Sequence, residues 1–263
     1  MISQKTKIYI LTICQLLRRD LLIYRREFLS KLFDNSFVLL TYLVVFGYFM
    51  PQFGGGGYGP FILVGSIASF GFFDMVGKVS DMMFDIQGDR AISYTLTLPL
   101  PSSLLFLRMA LYWAINSAVV SIFLIPIGKL ILFTQFDLSQ ISIFKFILIY
   151  PLIHLFYGFF SLWMVGILKG IGTIAQLWVR VINPMYMFGT FFYSWHAVHS
   201  FSPVVAYLNL CNPMVFIMEG LRSACLGSEG YLPFWISFLA LLGFTILCGW
   251  DGIRRLKIRL DCV

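Results

Sequence analysis

The chain has 263 residues, 59% of them hydrophobic and only 12% charged, with a net charge of +7 and a mean hydropathy of +0.87. A soluble domain carries about twice that charged fraction, so one aqueous core does not accommodate this composition. Lipid must be the solvent for most of the molecule, and a basic excess on such a chain reads as topology and contact with anionic membrane lipid, not as a nucleic-acid surface.

Residues 1–35 carry charges throughout and have no small-residue cleavage site after a clean apolar core, which argues against a signal peptide. Ile10, Cys14, Leu17, Leu21, Tyr24, Phe28 and Leu32 recur at steps of four and three, with Arg18, Arg19, Arg25 and Arg26 elsewhere on the wheel. This pattern predicts an interfacial amphipathic helix. A bilayer core of about 30 Å asks for roughly 20 apolar residues per helix. Within residues 36–252 six runs approach that length, at 36–50, 60–84, 104–128, 144–168, 177–195 and 233–250. The first is short, so its helix should start inside the amphipathic stretch and end near Pro51 and the glycines at 54–57. No alternating strand pattern occurs, and backbone polar groups cannot go unpaired in lipid, so an all-α, six-span membrane protein is predicted.

Sixteen of the nineteen Lys and Arg residues fall before span one, around span two's exit, between spans four and five, and in the tail 253–263; only Lys129, Lys145 and Arg222 lie on the other side. The side with sixteen is predicted to be cytoplasmic, which puts both termini in the cytoplasm and the chain in the cytoplasmic membrane. The apolar stretch around residues 204–218 is too short and too broken, by Asn209 and Asn212-Pro213, to be a seventh span. It reads as a pair of re-entrant helices inside an outer region, 196–231, between spans five and six.

Chemistry-bearing motifs are few. No G-x-x-x-x-G-K-[ST] phosphate loop, HExxH or CxxC is present. His196 and His199 share a helical face, but without a carboxylate or thiol beside them they are a poor metal site, and no metal is expected. His154, alone in span four, suits a helix–helix hydrogen bond. Cys211 and Cys225 both fall in the outer region, where a disulfide is possible. Asp74, Lys78 and Asp81 form an ionisable stripe on one face of span two, either an Asp74–Lys78 pair near the interface or a polar route along a subunit seam. Ala110, Ala114 and Ala118 make a small-residue ladder that permits close helix approach. Residues 84–101, "FDIQGDRAISYTLTLPLP", interrupt the apolar runs with an amphipathic, proline-closed segment on the predicted cytoplasmic side.

Together these features resemble the membrane subunit of type-2 ATP-binding-cassette (ABC) transporters. The likeness rests on "NPMVFIMEGLRSACLG" at 212–227, similar to that family's Asn-Pro…Glu-Gly-Leu-Arg signature, and on "DIQGDRAISYTLTLPLP", similar to its coupling segment, although "SYTL" replaces the usual Gly-Thr-Leu. The resemblance implies a permease of an exporter for an amphipathic or polymeric substrate, such as a lipid-linked glycan, a lipid or a hydrophobic drug. It implies a second permease copy, a separate ATPase subunit that binds ATP and Mg, and no cofactor in this chain. Asp85, Asp89, Arg90, Ile92, Leu96 and Leu98 would couple to the ATPase, and Asn212, Pro213, Glu219 and Arg222 would form the outer gate. An ion-coupled secondary transporter, or a membrane enzyme built on His196 and His199, are the other classes the residues leave open.

Overall fold

A computed structural model of the chain describes residues 4–53 and 58–260. The glycines at 54–57, Cys262 and the end of the tail lie outside the described residues. The fold is all-helical, with no strand among the described residues. Five helices are long and apolar enough to cross a membrane, or six if one bent pair is taken as a single span.

α1 (Gln4–Tyr42) runs without a break through a wider π-helical stretch, Leu43–Phe49, into α2 (Met50–Gln52). The continuous apolar helix Lys7–Gln52 has 46 residues, or about 69 Å, more than twice a bilayer core. The described part of the interfacial stretch expected at 1–35 and the first span are therefore one rod, the first span's helix starting inside that stretch as expected. Its predicted apolar face divides: Ile10 and Cys14 are exposed, whereas Tyr24 is buried and Phe28 packs edge-on to Phe123 at 5.4 Å between ring centroids. At Tyr24 and Phe28 that face meets α5 of the same chain.

α3 (Gly59–Gln87) begins with Pro60 in its first turn, where a missing N–H costs nothing, and has more buried residues than any other described helix. The short α4 (Ala91–Leu96) leads to Pro101 and α5 (Ser102–Leu132), and α6 (Ile143–Ile167) packs back along α5. The alanine ladder lies at that crossing: a Cβ on Gly158 of α6 would sit 2.3 Å from the carbonyl oxygen of Ala110, so the two backbones approach as closely as their atoms allow. His154 donates or accepts to Ser117 Oγ and Ser121 Oγ, each at 2.9 Å, and is the α5–α6 hydrogen bond expected of it.

The predicted fifth span is not one helix. α7 (Ile174–Leu177), a π-helical stretch (Trp178–Ile182) and α8 (Asn183–Met187) make a run of only about 21 Å before the chain turns at 188–193. Thr190, β-branched and at φ 62°, is the pivot of that turn. α9 (Trp195–Phe201) and α10 (Pro203–Asn209) follow, and α10 meets α11 (Pro213–Cys225) at 96°. α12 (Phe234–Arg259) includes most of the basic tail as helix. Arg259 there donates to the carbonyls of Val165 and Leu168, satisfying the orphan acceptors at the end of α6.

Candidate functional site

α11 is the most enclosed helix of the molecule, with all thirteen residues buried, while most of α10 before it is exposed. Its start explains the Asn-Pro pair. Asn212 Oδ1 accepts the Met214 N–H at 3.0 Å as an N-cap, its Nδ2 donates to the Met185 carbonyl at 2.8 Å, and Pro213 fills the first helical position. Met185 belongs to α8, so this cap also fastens α11 to the short fifth segment.

Glu219 and Arg222 are both 0% exposed. Their closest approach, 3.9 Å, is a loose ion pair, because each group is taken up mainly by backbone. Glu219 accepts the N–H of Trp195 and of Leu232, both at 3.0 Å. Arg222 donates to the carbonyls of Thr190 at 2.5 Å and Phe191 at 2.7 Å, and its guanidinium lies 3.4 Å from the centroid of the Phe61 ring. Gly65 leaves the room for it: a Cβ there would be 2.9 Å from Nη2. One turn of α11 thus holds the start of α9, the loop before α12, the strained turn at Thr190 and the first turn of α3. A charge in so enclosed a place persists only when its hydrogen bonds are met, and these are.

A second feature lies between α1, α3 and the π-helical stretch of the fifth segment. A cavity of about 390 Å³ is walled by Tyr42, Phe70, Phe73 and Trp178, with Asn35, Ser66 and Ser69 among its lining. Ser66 Oγ is buried and has no hydrogen-bond partner. Tyr42 immediately precedes one π-helical stretch and Trp178 opens the other; such widened turns are frequent at functional sites. No charged side chain lines this cavity.

The segment at 84–101 is organised by Asp85, whose two carboxylate oxygens accept the N–H groups of Ala91 and Ile92, each at 2.8 Å. It is the cap that starts α4, with Arg90 at φ 52° turning the chain into it. The apolar side of α4 differs from the sequence expectation. Ile92 is only 6% exposed, Leu96 packs on the chain's own core and Leu98 is half-buried. These side chains do not stand out to fill a groove in another protein. A six-residue helix at the end of two spans covers its apolar face with the nearest apolar surface, which is α3 and α5. What faces outward is Asp89, Arg90, Ser93 and Tyr94, the last 77% exposed.

Asp74 and Lys78 are half-buried and Asp81 exposed, along one side of α3 as expected, but no ion pair closes between Asp74 and Lys78. The buried ion pair nearest that end of the bundle joins Asp20 of α1 to Arg108 of α5, a partnership between residues 88 apart. His196 and His199 each pack against the Trp195 ring, and among the described residues no group of three metal-ligating side chains occurs. Cys211 and Cys225 are free thiols, one exposed and one buried.

Sequence reading found the Asn212–Arg222 element and missed the aromatic cavity, the Asp20–Arg108 pair and the Arg259 cap. Phe, Tyr and Trp are too common in this chain for Tyr42, Phe70, Phe73 and Trp178 to stand out, and only the crossing of three segments brings them together. No protein-family model matches the chain, and no curated protein matches it.

Proposed function

We propose that this chain is the membrane-spanning permease of an ATP-driven exporter, acting with a second permease copy and a separate ATPase subunit that binds ATP and Mg. In this reading the termini and α4 face the cytoplasm, α10 and α11 form a re-entrant pair on the outer side, and the substrate is amphipathic or polymeric. The observation that carries it is α4: a capped helix suspended between two long apolar helices, on the side that holds most of the basic residues, in a chain with no phosphate loop. A chain that cannot bind nucleotide through that motif needs a handle for the subunit that does. Asp89, Arg90, Ser93 and Tyr94 are the exposed face of the handle, and a nearly free tyrosine is the type of residue that anchors protein contacts. The aromatic cavity beside α1, with its unpaired hydroxyl, is the part of the chain best suited to meet substrate.

The test is subunit retention. Tyr94→Ala should weaken capture of the ATPase by roughly 2 kcal/mol, about thirtyfold, while leaving the permease folded. Leu96→Asp should instead lower the melting temperature of the isolated permease, because that side chain packs inside it. An ATPase retained at wild-type level by Tyr94→Ala and by Arg90→Ala would remove α4 from the coupling role.

A further inference from the structure

A further cavity touches the α11 site only at its edge, through Met185, Asn212 and Pro213. It is an open groove of about 940 Å³ between α6, the α7–α8 segment, α10 and α12. Phe160, Met164, Leu177, Val181 and Phe244 give it an apolar wall. No acidic side chain lines it, and its single charged lining residue is Arg180.

Arg180 is exposed and makes no ion pair or hydrogen bond among the described residues, which sets it apart from the cations around it. Arg255 is engaged by Asp251 at 2.5 Å, and Arg259 is spent on the carbonyls at the end of α6. Lys169, on the loop that closes the same end of the groove, is likewise exposed and unpaired. Arg180 lies two turns above Thr173 along the short fifth segment, about 10 Å by helix rise. A guanidinium at that depth can extend back to the headgroup level along its own apolar stem.

An apolar trough with one unanswered cation in its lining selects by charge as well as by hydrophobicity. A neutral lipid would fill the trough and leave Arg180 without an acceptor. A phosphodiester joined to an acyl chain meets both requirements, because the guanidinium binds phosphate oxygens in a forked, charge-assisted pair. We propose that this groove is a binding site for one anionic phospholipid, its acyl chain against α6 and α12 and its phosphate on Arg180. The site is separate from the cavity beside α1 and does not depend on the transport reading.

The experiment is thermal unfolding of the delipidated full chain in a neutral detergent, titrated with dioleoylphosphatidylglycerol, with dioleoylphosphatidylcholine, and with glycerol 3-phosphate. The wild type should be stabilised at about tenfold lower concentrations of the glycerol lipid than of the choline lipid, as expected for one charge-assisted contact. Glycerol 3-phosphate should do nothing, since it has no chain to bury. Arg180→Gln should bring the two lipids to the same midpoint, Arg180→Lys should keep part of the preference, and Val181→Trp, which fills the trough, should weaken both lipids together. Equal midpoints in the wild type, or a preference that survives Arg180→Gln, would overturn the site. Stabilisation by glycerol 3-phosphate at the concentrations of the lipid would also overturn it, by showing a free-phosphate site instead.

Discussion

Replacing Glu219 with Ala should cost about 3–5 kcal/mol of folded-state stability, because it leaves the Arg222 charge buried beside unmet backbone donors. For a chain of this size that corresponds to an apparent melting temperature roughly 10 °C lower in detergent. Three separate losses combine: the Trp195 N–H, the Leu232 N–H and the opposite charge for a fully enclosed guanidinium. The double variant Glu219→Gln with Arg222→Met distinguishes two physical pictures. If the pair matters as a pair of charges, neutralising both should restore most of the stability. The hydrogen bonds say otherwise, since Glu219 holds α9 and the loop before α12 while Arg222 holds Thr190 and Phe191. Recovery should therefore stay below half. A double variant that melts with the wild type would show that charge balance, and not the fastening of the turns, is what α11 contributes.

The second large effect is steric. Gly158→Ala should destabilise by about 1–3 kcal/mol, and Gly158→Val by more, because overpacking against backbone has no side chain that can yield. The added Cβ would stand 2.3 Å from the Ala110 carbonyl oxygen and 3.0 Å from its carbon, so α5 and α6 must separate to admit it. Separation also pulls His154 from Ser117 and Ser121, whose bonds at 2.9 Å cross the same interface. Gly77→Ala in α3 is the matched comparison, with nothing within 4 Å of the new atom. It should be neutral, or stabilising by about 0.5–1 kcal/mol through the helix preference of alanine over glycine. Thermal unfolding of the two variants side by side checks the pair. Equal melting temperatures would mean that the helix crossing is looser than 2.3 Å implies.

The long helices were legible because hydropathy over some twenty residues is a property of a segment alone. The boundaries 60–84, 104–128 and 144–168 lie within a few residues of α3, α5 and α6 for that reason. The ends of the first and last helices were not, since what carries a helix past the lipid edge is packing that the sequence does not display. α1 continues because Asp20 and Tyr24 find Arg108 and the Asn116 carbonyl, and α12 continues because Arg259 finds the end of α6. The fifth segment failed for a different reason. Residues 177–195 are mostly apolar, with Arg180 their one charge, but the Thr190 and Phe191 carbonyls are drawn off to Arg222, so the helix stops at Met187.

At the sites the division is the same. Asn212 and Pro213 carry a local capping rule, and Glu219 with Arg222 a one-turn spacing, so both were readable from neighbouring letters. The outward face of α4 was not, because whether Ile92 and Leu96 meet another protein or their own bundle depends on how α3 and α5 flank them. Asp85, read as a contact residue, serves the backbone of α4 instead.

The measurement closest to the function is ATP hydrolysis by what comes out of the membrane with this chain. The full chain would be solubilised in mild detergent and isolated, its polypeptide content determined by mass, and hydrolysis assayed before and after the subunits are separated. The proposed function predicts a second polypeptide with a nucleotide-binding site, hydrolysis by the complex, and none by this chain alone. A chain that purifies without such a subunit, and that moves solute in proteoliposomes on an ion gradient with no ATP present, would contradict it.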